Sequence, residues 1–440
     1  MTDWMKFSCP RLEECYYEAC HTSGLRVLVS PKDFSATYAT VGIGYGSRDR
    51  FSGGALPMGT AHFLEHKIFE RPGSESWEDV FAALGAEVNA YTSDDCTAYM
   101  FSATEHISEA LCALLSMVME VSVTPESVAR ERQIIAEEIR MNADDPWEVC
   151  YANMLRGLYA PVREGGNPVR EEICGTETTI RRITPATLRE VHGRFYRPEN
   201  MVLAVSGRIT PEEVMEVVDR VYGMAATAPS PLPPSHRAPH DPMEAHKPTV
   251  TCRMETVNVK PLFSIGVKLP AVPTDPRELV GLERLMTVLS EMLFSRSGDF
   301  YSSLFESGLV SPGMAYGSSL GRPALDGTAE GYGYFYLSGE SDDPDGVYSA
   351  FRAYVASVLE NGPDPESFER ARRTLYADFV YGFDSTEGVA SSLMSTALDG
   401  VPLFDLCTLD EGLTLAAARD LLTVAFRDSQ YTLSTVYPLE

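Results

Sequence analysis

The segment PESVARERQIIAEEIRMNA at residues 125–143 has a second, similar copy, PESFERARRTLYADFVYGF, at residues 365–383. Both copies begin with Pro-Glu-Ser and continue with apolar residues at helical spacing, which predicts two long amphipathic helices. Their separation places one helix in each half of the 440-residue chain. The two copies therefore indicate an internal repeat.

The segments around the two helices extend the same order of predicted elements. Each half has two strand-like runs, two helices, two more strand-like runs, two long helices, and then a helix and a strand. LRVLVS (25–30) and YATVGIGYGS (38–47) open the first half, and VTCRMETVNV (250–259) and PLFSIGVKL (261–269) open the second. We expect an α+β fold of two homologous sheet-plus-helices domains in tandem, facing each other across a cavity. A loose match between two unrelated α+β domains is the alternative.

The residues between the halves differ in composition from both. Segment 226–248 is rich in Pro and has no apolar periodicity, which predicts a semi-rigid linker. The predicted domains are therefore residues 1–225 and 249–440. A chain of this length suggests two to four domains, so a two-domain division is within the expected range.

Charge and composition limit the possible partners and compartment. The net charge of −27 disfavours nucleic acid, because phosphate binding needs clustered Lys and Arg. An acidic concave surface could attract basic peptides, although such a charge can also serve solubility alone. No run of about 20 apolar residues predicts a membrane span, and the first residues have no apolar signal region. The nine scattered cysteines contain no C-x-x-C pair, which predicts reduced thiols and a cytoplasmic location.

A histidine motif in the first half predicts metal chemistry. His62-Phe63-Leu64-Glu65-His66 reads H-x-x-E-H. On a helix, residues four apart share a face, so His62 and His66 can hold one Zn²⁺ with Glu65 beside them as a general base. A surface helix with two solvated histidines is the alternative. A hydrolytic zinc site usually has three protein ligands, so a third is expected elsewhere in the fold.

The best candidate for the third ligand is Glu138, in the helix predicted over residues 125–143. Glu131 is seven residues earlier, two turns along the same face, where it could orient a ligand histidine or a water. A solvated helix face is the alternative reading for each glutamate, including Glu137. The predicted apolar stripe beside Glu138 consists of Ile134, Ile135 and Ile139.

The combination of these motifs resembles a known family. HFLEH (62–66) followed by ERQIIAEEIRM (131–141) is similar to the inverzincins of the pitrilysin, insulysin and mitochondrial processing peptidase family. The resemblance covers nearly the whole chain and includes GSRDR (46–50), LGAEVNAYTSDDCTAY (84–99) and FYRPENMVLAVSG (195–207). Within the family, the chain most resembles the bacterial zinc-bearing subgroup associated with elongation factor P modification.

The resemblance implies a role for each residue of the site. The resemblance implies one Zn²⁺ per chain, with His62, His66 and Glu138 as its ligands. It favours Glu138 over Glu137. Glu65 is implied as the catalytic base and Glu131 as the outer acid.

The resemblance also implies a substrate-binding strand. Asn89, Ala90 and Tyr91 are implied to pair with the extended substrate backbone by β-augmentation. From the residues alone, a turn at the end of a strand is the alternative interpretation of Asn89.

The second half departs from the family pattern. It has no counterpart of the metal motif, and Asp378 occupies the position equivalent to Glu138. Many family members also have an Arg and a Tyr, seven residues apart, that hydrogen-bond the substrate carbonyl. Here the Arg is missing and Val310 stands at the Tyr position; Tyr316 and Arg296 lie nearby in the sequence and are not assigned this role. The missing pair suggests that the chain works as a homodimer or as a heterodimer with a related subunit.

The resemblance thus implies a cytoplasmic zinc endopeptidase that hydrolyses peptides or short unfolded segments in an enclosed chamber. The alternative is a non-catalytic scaffold or peptide-binding subunit of a heterodimeric peptidase-like complex.

Overall fold

The computed structural model describes residues 3–49, 56–71, 73, 76–223, 242, 244–256, 260–323 and 330–439. Most of the predicted linker, residues 226–241 and 243, lies outside the described residues. So do Arg50 of the GSRDR segment and residues 257–259 of the first strand-like run in the second half.

The described strands form two sheets. The first contains β1 (Met5–Cys9), β2 (Glu14–Cys20), β3 (Arg26–Pro31), β4 (Thr37–Ile43), β5 (Ala86–Thr92), β6 (Thr97–Ala103) and β7 (Met201–Gly207). The second contains β8 (Thr249–Met254), β9 (Leu262–Lys268), β10 (Ala315–Gly321), β11 (Tyr332–Glu340) and β12 (Tyr431–Pro438).

The α-helices of the first half are α1 (Thr60–Ile68), α2 (Trp77–Ala83), α3 (Ile107–Met119), α4 (Pro125–Asp144), α5 (Pro146–Leu158), α6 (Glu177–Ile180), α7 (Pro185–Phe195) and α8 (Pro211–Tyr222). Those of the second half are α9 (Pro276–Phe294), α10 (Asp299–Glu306), α11 (Pro344–Asn361), α12 (Pro365–Tyr381), α13 (Thr386–Leu398), α14 (Asp405–Gly412) and α15 (Leu415–Ala425). In the described part of the chain, no helix combines the length and the apolar character that a membrane span requires.

The two sheets share one topology. The order β3-β7-β4-β6-β5 in the first sheet corresponds to β8-β12-β9-β11-β10 in the second. In each sheet the first pair of this series is parallel and the others are antiparallel. The predicted α+β tandem fold is therefore confirmed. The hairpin β1–β2, which the sequence analysis did not predict, extends the first sheet beyond β3.

Helices α5 and α13, which follow the long helices α4 and α12, each pack against the sheet of the opposite half of the sequence. Helix α5 packs against β9 and β12, whereas α13 packs against β4 and β7. A glycine permits each approach: a Cβ on Gly42 of β4 would lie 2.3 Å from Met394 Sδ, and a Cβ on Gly266 of β9 would lie 2.8 Å from Met154 Cγ. A larger residue at either position would force a side chain of the packed helix to shift, so Gly allows each helix to lie close to its strand.

The described residues accordingly form two compact units, drawn from Met1–Ala136, Ile173–Ser235 and Asp378–Leu406, and from Glu137–Glu172, His236–Ala377 and Cys407–Glu440. Each unit includes a helix from the opposite half of the sequence, namely α13 in the first and α5 in the second. The boundaries predicted from the repeat, at residues 225 and 249, stay a prediction.

Strand burial explains the core of the first unit. All residues of β4 and β7 are buried, and side chains alternate between faces, so both faces of these strands are covered. At the edge of the same sheet, β5 alternates between exposed and half-buried residues. This edge is where the candidate site lies.

Candidate metal centre

Helix α1 carries both histidines of the motif, and its start is fixed by a glycine. Gly59 precedes the helix with φ 85°, and a Cβ there would lie 2.4 Å from the carbonyl oxygen of Cys174. Both conditions favour Gly. Phe63 and Leu64 of the helix are fully buried, which anchors α1. The rings of the half-buried His62 and His66 have centroids 4.7 Å apart, as expected for residues on one helix face.

Helix α4 supplies the two carboxylates, but its apolar stripe differs from the prediction. Ile135 and Ile139 are buried, whereas Ile134 is 57% exposed. The predicted stripe of three isoleucines is therefore wrong for Ile134. The reason is helical spacing: Ile134 lies four residues before Glu138 and shares its accessible face.

The structure brings the three predicted ligands together. One donor atom each of His62, His66 and Glu138 lie within 4.8 Å of one another. Within the described ranges, this is the only group of three or more His, Cys, Asp or Glu side chains with such an arrangement. Ligands of a tetrahedral zinc ion are about 3.3–3.6 Å apart when each bond is about 2.0–2.2 Å. Two imidazoles and a carboxylate at these distances fit zinc with small side-chain adjustments.

Glu131 orients one of the histidines. His66 Nδ1 and Glu131 Oε1 are 2.9 Å apart, which leaves Nε2 of His66 as the donor atom for a metal. Burial alone would raise the pKa of Glu131, but the hydrogen bond and charge of His66, with the charges of Lys67 and Arg130, hold it below its usual value. The carboxylate is therefore charged at neutral pH and favours this histidine orientation.

The protonation state of His62 favours metal binding. Burial, together with the neighbouring His66, lowers the pKa of His62 to about 4, so this imidazole is neutral at physiological pH, as a metal ligand must be. Lys67, which directly follows the motif, is fully buried and forms an ion pair with Glu70. The sequence gives no sign that Lys67 is buried, since a Lys on a helix is usually a surface residue.

Glu65, the predicted base, lies beside the metal group on α1. Only 9% of Glu65 is exposed, and its Oε2 accepts a hydrogen bond of 2.6 Å from the Thr92 hydroxyl. Thr92 is the last residue of β5. The sequence does not predict this contact, because no spacing along the chain relates position 65 to position 92.

The predicted substrate-binding residues lie on β5, the edge strand of the first sheet. Asn89 is exposed, and its Oδ1 accepts a hydrogen bond of 2.8 Å from the backbone N–H of Ala90. Tyr91 is 44% exposed. An edge strand has the geometry that β-augmentation requires. The binding role of these three residues stays a prediction.

The second half of the chain has no Arg–Tyr pair at the positions that the family resemblance indicates. Val310 is buried, with 5% exposure, and Tyr316 donates a hydrogen bond of 2.6 Å to Glu291 Oε2. Arg296 is exposed, and so is Asp378, the counterpart of Glu138. Val310 has no hydroxyl group, and the hydroxyl of Tyr316 is hydrogen-bonded to Glu291.

Comparison with known proteins identifies the family of the chain. Residues 28–163 match the family model Insulinase (Peptidase family M16), and residues 182–375 match Peptidase M16 inactive domain. The chain is 30% identical over 442 residues to the Bacillus subtilis protein named uncharacterized zinc protease YmfH, covering 97% of this chain and 98% of that one. The chain belongs to peptidase family M16. The resemblance to the pitrilysin, insulysin and processing-peptidase family is thus confirmed.

Other M16 relatives extend the comparison along the whole chain. The crystal structure of an M16-like peptidase from Alicyclobacillus acidocaldarius has a TM-score of 0.86 and 29% identity, covering 100% of this chain and 99% of that one. The probable mitochondrial-processing peptidase subunit beta of Arabidopsis thaliana is 24% identical over 441 residues, covering 95% of this chain and 77% of that one. Several M16 relatives are named zinc proteases, so zinc is the metal to test at the His-His-Glu group.

Proposed function

We propose that this M16 protein is a zinc-dependent endopeptidase that hydrolyses peptides or short unfolded segments in an enclosed chamber. One observation carries the proposal: the donor atoms of His62, His66 and Glu138 converge within 4.8 Å, and Glu65 lies on the same helix as the two histidines. A scaffold protein has no chemical need for a buried carboxylate beside a metal group. The full-length similarity to a protein named a zinc protease supports the same reading.

Each residue has a separate task in the proposed reaction. His62, His66 and Glu138 would hold one Zn²⁺ per chain, and Glu131 keeps His66 in the ligating orientation. When bound, zinc lowers the pKa of a water to roughly 7 and polarises the scissile carbonyl. Glu65 takes the proton from the attacking water and delivers it to the leaving amine.

The edge of the first sheet is the proposed binding surface for the peptide substrate. An extended peptide would pair with β5, so that main-chain hydrogen bonds bind it regardless of its sequence. In the structure, the Asn89 side chain occupies the backbone N–H of Ala90. Asn89 would therefore rotate away as the peptide forms its own hydrogen bond to Ala90.

The proposed enzyme acts as a homodimer or as a heterodimer with a related subunit. The side chain of Val310 cannot donate a hydrogen bond, and the hydroxyl of Tyr316 donates to Glu291. A partner that supplies donors to the substrate carbonyl would complete the site. We propose a cytoplasmic location, because the nine cysteines are scattered along the chain and contain no C-x-x-C pair.

Replacing the base tests the proposal directly. Glu65→Gln keeps the shape of the side chain but cannot accept the proton, so we expect one zinc per chain and a loss of cleavage of at least about 100-fold. Zinc is measured by elemental analysis, and cleavage by mass spectrometry on a mixed peptide pool, with and without the related subunit. The control is Glu137→Gln, an exposed glutamate paired with Arg140 on α4. Undiminished cleavage by Glu65→Gln defeats the assignment.

The missing carbonyl-binding pair favours a second candidate, a non-catalytic scaffold or peptide-binding subunit. This candidate predicts that the wild-type protein binds peptides or a related subunit and yields no products under any condition. Sub-stoichiometric zinc in the wild-type protein would favour it further. Stoichiometric zinc together with cleavage that depends on Glu65 excludes it.

A further inference from the structure

Thr92 links the predicted substrate strand to the predicted base. Its Oγ1 donates a hydrogen bond of 2.6 Å to Glu65 Oε2. On β5, half-buried residues alternate with the exposed Asn89 and Tyr91, and Thr92 belongs to the half-buried set. Since alternate side chains of a strand lie on one face, Thr92 is on the side of β5 opposite to that of Tyr91. Helix α1, which carries Glu65, packs against β5.

The turn that follows β5 holds Thr92 in place. Ser93 Oγ accepts hydrogen bonds from the backbone N–H groups of Asp95 and Cys96, at 3.3 Å and 3.0 Å. The carbonyl oxygen of Ser93 accepts a hydrogen bond of 3.0 Å from the backbone N–H of Ser47. The turn is thus tied both to itself and to the segment that follows β4.

That segment is the GSRDR motif, and it clamps the turn. Arg48 is fully buried, and its Nη1 donates a hydrogen bond of 2.6 Å to Asp95 Oδ1. Its backbone N–H donates to the carbonyl oxygen of Asp94 at 3.1 Å. A Cβ on Gly46 would lie 2.3 Å from that same oxygen, so this close approach needs Gly. A buried, hydrogen-bonded Arg at this position fixes the turn rigidly.

We propose that Thr92 is the positioning residue of the base, and that the clamp formed by Gly46, Arg48 and Asp95 keeps it in place. The inference rests on the proposed role of Glu65. A short hydrogen bond from a hydroxyl to a carboxylate fixes the orientation of the carboxylate, and a displaced catalytic group loses much of its effect. Because Thr92 ends the strand that would pair with the peptide, the element that binds the substrate also orients the base.

Three threonine variants test the inference by kinetics. Thr92→Val keeps the β-branched shape and removes the hydroxyl, so we expect kcat to fall about 10- to 100-fold with KM changed by less than about twofold. Thr92→Ser keeps a hydroxyl, so kcat should return to within about threefold of wild type. Thr249→Val, at an exposed strand position in the second sheet, is the matched control and should leave both constants unchanged.

Two readouts that do not depend on turnover separate positioning from structure. The zinc content of Thr92→Val should equal that of wild type. Its peptide affinity, measured in the inactive Glu65→Gln background, should match that of Glu65→Gln alone to within about twofold, since Thr92 acts through the base. Loss of zinc or of peptide binding in Thr92→Val would show a structural role and overturn the inference. So would a Thr92→Ser variant as slow as Thr92→Val.

The proposed function and the inference fail in different ways. If Glu65→Gln cleaves like wild type, Glu65 is not the base and both fail. If Glu65→Gln is inactive with zinc retained, while Thr92→Val has full kcat, the function holds and only the positioning role is refuted.

Discussion

Glu131→Gln should weaken zinc binding without removing a ligand. The carboxylate lies 2.9 Å from Nδ1 of His66, and the side chains of the two residues are 11% and 26% exposed, so the interaction is only partly screened by water. Gln retains an acceptor oxygen and removes the negative charge. Outer carboxylates of this kind are worth about 10- to 100-fold in metal affinity, or about 1.4–2.8 kcal/mol. We expect a rise in the dissociation constant for zinc within that range.

The assay is competition for zinc against a fluorescent chelator at fixed pH and ionic strength. Glu137→Gln is the control, because Glu137 is exposed on the same helix and its ion pair with Arg140 is a surface contact of little energetic value. An affinity for zinc within about twofold of wild type in Glu131→Gln would refute the orienting role. An equal loss in Glu137→Gln would show that the effect is a general change of charge on α4.

Three further predictions concern stability and thiol chemistry. Gly59→Ala should lower the free energy of unfolding by about 2–4 kcal/mol in urea titrations, because Gly59 has φ 85° and its Cβ would clash with Cys174 O; an unchanged midpoint would contradict this. Thr210→Ala should cost about 1 kcal/mol by removing the cap of α8. Hydrogen bonds from Thr210 lower the pKa of Glu213, so the interaction between these two residues stabilises the fold above pH 4.5. This stabilisation is lost as the pH falls below the lowered pKa of Glu213, so the cost of Thr210→Ala should shrink on acidification. A cost that grows at low pH would contradict this prediction. Burial raises the pKa of Cys150 to about 12, so mass spectrometry should find this thiol unmodified by iodoacetamide at about pH 8 until the protein is denatured.

The sequence predicted the elements that carry a strong local pattern. Helices α1, α4 and α12 follow helical periodicity, and the spacing of His62 and His66 on one helix led directly to the metal group. The equivalent strands of the two halves appear in the same order in both sheets, as the repeat predicted.

What the sequence did not predict depends on contacts between distant segments. Helix α13 is rich in small residues, and nothing in its sequence indicates that its buried face, which includes Val389, Leu393 and Met394, packs against β4 of the other half. Gly42, which allows the close approach, looks like an ordinary strand residue in the sequence. In the sequence, Thr92 looks like any strand threonine, because its hydrogen bond to Glu65 depends on the packing of β5 against α1. Ile134 is an apolar residue on an exposed face, and composition alone could not distinguish it from its buried neighbour Ile135.

The metal site is tested most directly by the zinc content of wild-type protein and of Glu138→Ala, measured by elemental analysis after dialysis. We expect one zinc per chain in the wild type, loss of that zinc in Glu138→Ala, and full retention in the neighbouring control Glu137→Ala. Full zinc in Glu138→Ala, or its loss in Glu137→Ala, would contradict the claim that His62, His66 and Glu138 form the metal site.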